Sequence, residues 1–204
     1  MTSFAGIDVR LWQALIAGGV VALGWVVTGW RNRAEARALK AEKLRDAHKA
    51  LFAEIRTTLS QFSEGGREVF ESALEEMRAD ADFVPFIPKQ RHDLIFGAMV
   101  PQLDVLPRAT IDEIVAYYSV IGSLAGLADD MRGEGFKAMS QTRRIALYED
   151  YAATHVRAFR LGELALAVIA GFADGGHDAA RAAADRINSS AGDRGVPPGA
   201  GAGD

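Results

Sequence analysis

No cysteine occurs in the 204 residues, which excludes a disulfide framework and any thiolate-bound metal. The lack fits a reducing compartment without requiring one. Histidine is almost as scarce: His48, His92, His155 and His177 are all there are. No Glu-x-x-His occurs, and a di-iron helix bundle would need that motif twice. Each histidine is therefore expected to be structural or to lie on the surface, and no metal site is expected. Gly-x-Ser-x-Gly, a phosphate-binding loop and a dinucleotide fingerprint are also missing, so the sequence offers no catalytic residues and no cofactor site. The glycines of Gly199-Ala200-Gly201-Ala202-Gly203 have no strand before them and no helix after them, and read as low complexity.

Charge is missing from one long run. Leu11 to Trp30 is twenty residues without a charged side chain. At about 1.5 Å per residue such a helix reaches roughly 30 Å, the thickness of a bilayer's hydrocarbon core. Gln13 and Thr28, the polar members, lie near the ends, and Trp12 and Trp30 stand at the two edges, where indole rings favour the headgroup zone. A soluble core helix of this length would show a polar face. A cleaved export signal has an apolar region of about 7–15 residues ending in small residues. Here the run is longer and ends in Trp30-Arg31-Asn32-Arg33, with Ala34-Glu35-Ala36 only behind two arginines. The expectation is an uncleaved transmembrane helix at 11–30.

Arg31, Arg33, Arg37, Lys40, Lys43 and Arg45 follow this run against Glu35 and Glu42, while Asp8 and Arg10 before it cancel. Cytoplasmic flanks carry the Lys/Arg excess. Residues 1–10 are thus expected outside and the remainder in the cytoplasm, with 31–43 as a basic juxtamembrane stalk able to lie against anionic headgroups. Trp12, Trp30, Arg31, Arg33 and Arg37 are the candidate membrane-interface residues. Ala14, Gly18 and Ala22 form a small-xxx-small ridge on one helix face, the candidate surface for self-association into a homo-oligomer. Residues 57–204 hold 14 Lys/Arg and 22 Asp/Glu, a net charge of −8 that argues against a nucleic-acid-binding surface there.

No period-two strand pattern competes with helical spacing anywhere, so the fold class is all-α. Leu44, Leu51, Ile55, Leu59 and Phe62 recur at helical intervals and form one apolar stripe. After Gly65-Gly66 a second helix is expected from Arg67 to about Asp80, burying Val69, Phe70, Leu74 and Met77. Phe83-Val84-Pro85-Phe86-Ile87-Pro88 cannot be helix interior, and its aromatics are expected over the core. A short helix over 89–99 follows, then a connector at 102–106. Pro107 suits the first turn of a helix running through Ile114, Tyr118, Ile121 and Leu124 to about Met131, with Gly133 as its stop. Ser140 is a good N-cap for a helix over 141–173 burying Ile145, Tyr148, Ala152, Val156, Phe159, Leu166 and Ile169. Gly175-Gly176 should end it, with a short Ala-rich helix over 178–187 and a disordered tail from Ser189.

The simplest packing is an antiparallel bundle of four or five helices over 44–175, followed by the tail region 176–204. The uncharged stretches 114–128 and 164–173 are short for a membrane span and read as core. Tyr117, Tyr118, Tyr148 and Tyr151 are expected to pack in the core with hydroxyls at its rim. Glu71 with Glu75, Asp129-Asp130 and Glu149-Asp150 are expected to be solvated charged faces, because nothing beside them splits their pKa values.

The order of an N-terminal span, a basic flank, Ala50-Leu51-Phe52-Ala53-Glu54-Ile55, Phe96 to Leu106-Pro107 and Ile114-Val115-Ala116-Tyr117-Tyr118 resembles a class of uncharacterised, N-terminally anchored helical proteins of bacteria and their prophages. The likeness covers residues 11–125 and carries no activity with it. It implies a bacterial inner (plasma) membrane location. The functional expectation is a non-enzymatic, membrane-anchored protein that presents a cytosolic helical interaction domain to a protein partner not identified by the sequence. The alternative is an envelope-acting, prophage-type lysis or exclusion factor that perturbs or spans the bilayer.

Overall fold

A computed structural model of the chain describes the backbone of residues 9–64 and 66–192, and the side chains among them except those of 9–18, 20–22, 64, 67, 191 and 192. The described residues are all-helical, without strands. The elements are α1 (Val9–Glu64), α2 (Gly66–Ala79), α3 (Leu94–Met99), a 3-10 helix (Val100–Val105), α4 (Arg108–Arg132), α5 (Glu134–Lys137) and α6 (Gln141–Gly192). The chain divides into two compact units, Met1–Leu44 and Arg45–Asp204.

In the first unit, the described side chains from Leu23 to Lys43 are exposed, Gly29 alone being half-buried. They include Leu23, Trp25, Val26, Val27, Trp30 and Leu39.

In the second unit, the expected stripe on α1 is the buried one. Leu51, Ile55, Leu59 and Phe62 are buried and Leu44 is half-buried at the boundary. The pairings along α6 give the topology. His48 meets Phe172, the space at Gly162 is filled by Leu59, and Phe62 lies against His155. Further along, Phe70 meets Tyr148 and Tyr151, and Gln141 Nε2 donates to Met77 O. As residue numbers rise through α1 and α2 they fall along α6, so α6 is the antiparallel spine for both. Gly66, at φ +36°, offsets the chain without reversing it. His48 and Glu54 bond to Thr110 and Tyr118 of α4, so α1 and α4 run in the same direction. That corrects the uniformly antiparallel packing expected. The cause is the long connector 80–107, whose first half, 80–93, Pro85 and Pro88 keep out of a helix and which carries the chain back before α4 begins.

Several local expectations are also corrected. Val69 and Val156 are exposed, because each lies on the flank of its helix turned away from α6 or α1. Phe86 is 88% exposed while its neighbour Ile87 is buried: in an extended segment alternate side chains point opposite ways. The helix expected over 89–99 starts only at Leu94, and the connector 102–106 is largely 3-10 helix. Gly133 does stop α4, as expected, and does so in an extended conformation, φ −73°, ψ 156°. Gly175-Gly176 does break α6, with Gly176 at φ +68°, but the helix after it runs on through Ser189 and Ser190, past the point where disorder was expected. Alanines there let it pack closely on α6: Ala180 joins Leu164 and Val168 in one cluster, flanked by Phe172, Ala184 and Ile187. Residues 193–204 and residues 1–8 of the expected extracytoplasmic segment 1–10 lie outside the described residues, while Val9 and Arg10 begin α1.

Candidate functional site

Two surfaces bear on function, and each belongs to one unit. On the first, Trp30 is 75% exposed, and Arg31, Arg33 and Arg37 are exposed on the turns that follow. Helix continuity explains the placement, since no Gly-Pro signal or other breaker separates 23–30 from 31–43. The side chains of Trp12, Ala14, Gly18 and Ala22, the remaining interface and self-association candidates, lie outside those described.

On the second unit, segment 88–93, α4 and α6 enclose a cleft of about 260 Å³. Its floor is Ile121, Leu124, Ala125 and Ala128, and His92, Tyr151 and His155 form a wall. Arg132 braces the mouth, donating from Nη1 to Pro88 O at 2.9 Å and pairing with Asp129. The two imidazoles sit on the ring of Phe62, His155 at 4.0 Å and His92 at 5.4 Å between centroids. Burial pushes His155 down to about 4, with His92 beside it acting in the same sense. Burial also lowers His92, against the opposing pull of Asp93 and Glu54. Both rings are therefore neutral near pH 7, each with one N–H donor and one acceptor nitrogen. Among the described residues no group of three His, Asp or Glu could hold a metal ion. The arrangement suits binding of a small polar group over an apolar floor.

The other histidine in the core is architectural. Thr110 Oγ1 donates to Pro107 O at 3.2 Å, so it accepts from His48 Nε2 at 3.0 Å, which selects the Nε2–H tautomer. Burial lowers the His48 pKa. All four tyrosines are buried, and the Tyr117 hydroxyl is buried with them rather than at the rim. The residues of the three carboxylate pairs are exposed, with Glu149 on Arg78 and Asp129 on Arg132.

Two features had no signal in the sequence. His92 and His155 are brought to one cleft only by the return of segment 80–107. Glu54, half-buried within the apolar stripe, binds Tyr118 and the backbone of α3. Compared with family models, with curated proteins and with solved structures, the chain matches none.

Proposed function

We propose that this chain is a single-pass membrane protein whose N-terminal helix, 11–30, anchors a non-enzymatic helical interaction domain at the cytoplasmic face of a bacterial inner membrane. The observation that carries the reading is the unbroken exposure of Leu23, Trp25, Val26, Val27 and Trp30, immediately followed by exposed Arg31, Arg33 and Arg37. Large apolar side chains left without intrachain partners mark a membrane or protein contact, and the basic excess behind them sets the inward side. The domain is a helical bundle built on α6, and its partner is a protein or a second copy of the chain. Oligomer formation would run through Ala14, Gly18 and Ala22. The resemblance to anchored helical proteins of bacteria and prophages points the same way.

A second reading, the envelope-acting factor, has one observation in its favour. Among the described residues α4 is long and apolar enough to cross a membrane, although the stretch 114–128 within it looked too short. Against that use, nine residues of α4 are buried in the unit, and Thr110 and Tyr118 bond to α1. Compartment-sensitive reporters fused after Gly176 and after Asp204 test both readings. Two cytosolic reporters are expected; a reporter outside the cytosol overturns the orientation and favours the envelope-acting factor.

A further inference from the structure

The helix that follows the anchor is charged differently on its two sides. At 100° per residue, Arg37 and Lys40 fall within about 40° and 20° of Arg33, whereas Glu35 and Glu42 lie roughly 160–180° away. Arg31 stands on the acidic side, four residues before Glu35 and in position to pair with it. All of these side chains are exposed, and among the described residues none of Arg33, Arg37 or Lys40 makes an ion pair. Without local partners, these three cations form a one-sided row. Arg33 lies three residues past Trp30 and Lys40 ten, roughly 5–15 Å along the axis. That spans the headgroup layer and the screened zone of about one Debye length beyond it.

We propose that the Arg33–Arg37–Lys40 face of α1 binds the anionic phospholipid headgroups of the inner leaflet, so that the helix leans onto the membrane on that side only. The inference rests on the anchor reading above and adds to it which face of the basic stalk meets the anionic headgroups. Charge complementarity selects the occupant: a row of fixed cations facing a negatively charged surface, with the carboxylates turned away from it. Each cation near such a surface favours engagement by about fivefold, and three by roughly a hundredfold.

The chain has no native cysteine, so a single introduced one carries a fluorophore without ambiguity. Ala36→Cys lies within about 60° of Arg33 and Ala38→Cys about 140° away. Full-length protein carrying either label is placed in nanodiscs of phosphatidylcholine alone, or of phosphatidylcholine and phosphatidylglycerol at about 7:3. A water-soluble quencher then reads exposure. The expected result is quenching lowered several-fold at Ala36→Cys in the anionic discs only, with Ala38→Cys unchanged. About 1 M salt, where the Debye length is about 3 Å, should abolish the difference, as should the triple variant Arg33→Gln, Arg37→Gln, Lys40→Gln. Equal quenching in the two lipids overturns the proposal, as does protection at Ala36→Cys already present in lipid-free detergent, which would assign this face to an acidic protein surface. Flotation with vesicles of both compositions after alkaline carbonate keeps the two readings apart. Protein that floats with both but shows no lipid-dependent quenching retains its anchor and loses this inference; protein that floats with neither loses the anchor itself.

Discussion

Tyr118 Oη donates to Glu54 Oε2 across 2.6 Å, and the same carboxylate accepts the backbone N–H groups of Ile95 at 2.7 Å and Phe96 at 3.1 Å. A residue of α1 thus supplies the acceptor that the first turn of α3 lacks, since Asp93 makes no side-chain cap. Phe96 lies flat on Tyr118, with centroids 4.0 Å apart and planes 6° from parallel. Three elements meet at one carboxylate.

Removing that acceptor is expected to be costly. Glu54→Ala takes the acceptor from the half-buried Tyr118 hydroxyl and Phe96 N–H and from the exposed Ile95 N–H, a loss of about 1–3 kcal/mol. Tyr118→Phe should lose about 1–2 kcal/mol. The double variant should be less unstable than the sum by roughly 1 kcal/mol or more. Urea unfolding of the four proteins decides it, and strict additivity would show that the bond is energetically idle.

The histidines of the cleft make stability depend on pH. His155 is held down at about 4 when folded and titrates near 6.5 when unfolded. The unfolded state therefore binds the extra proton first as pH falls. Stability is complete above about 6.5 and declines progressively down to about 4, by on the order of 2–3 kcal/mol from this residue. His92 and His48, both lowered by burial, act with the same sign. His155→Phe keeps a ring against Phe62 and should flatten this slope; urea midpoints at pH 7 and pH 5 measure it. An unchanged slope would mean that His155 is not neutralised by the fold.

Two glycines on α6 should respond differently to a methyl group. At Gly171 an added Cβ would meet Ala179 O at 2.7 Å, a backbone atom of the returning helix 177–192. Gly171→Ala should force that helix away and cost about 1–3 kcal/mol. At Gly162 the nearest atom is Leu59 Cδ2, also at 2.7 Å, but a side chain can turn aside. The gain in helix propensity, about 1 kcal/mol, should then bring Gly162→Ala close to neutral. Thermal unfolding of the two variants gives the order, and the reverse order would contradict the packing described.

The extended segment offers the sharpest contrast between neighbours. Phe86→Ser should change stability by no more than about 0.5 kcal/mol, since the ring is 88% exposed. Ile87→Ser removes a buried side chain, 5% exposed, and places a hydroxyl in its site, so about 3 kcal/mol or more should be lost. Equal effects in urea unfolding would mean that the segment is not held in this register.

Local chemistry made much of this protein legible in its residues. The helical class followed from spacing alone, and so did the stripe of Leu51, Ile55, Leu59 and Phe62 and the breaks at Gly66 and at Gly175-Gly176. Spacing reports which side of a helix is apolar, and glycine and proline act on their own φ angles. The apolar run 11–30 and its basic flank were equally plain, because hydrophobicity and charge are properties of the residues themselves.

The tertiary structure decided everything that depends on where the chain returns. Pro85 and Pro88 forbade a helix, but they did not say that the connector would cross back far enough to set α4 parallel to α1. That return places His92 beside His155, sixty-three positions apart, and puts Glu54 at the start of α3. It also brings the Arg144 side chain, buried at 6% exposure, to the carbonyl of Ala81. Periodicity is a property of neighbours along the chain, whereas such meetings depend on how separate elements bury their apolar faces together, a sum over many weak contacts that no single stretch of residues encodes.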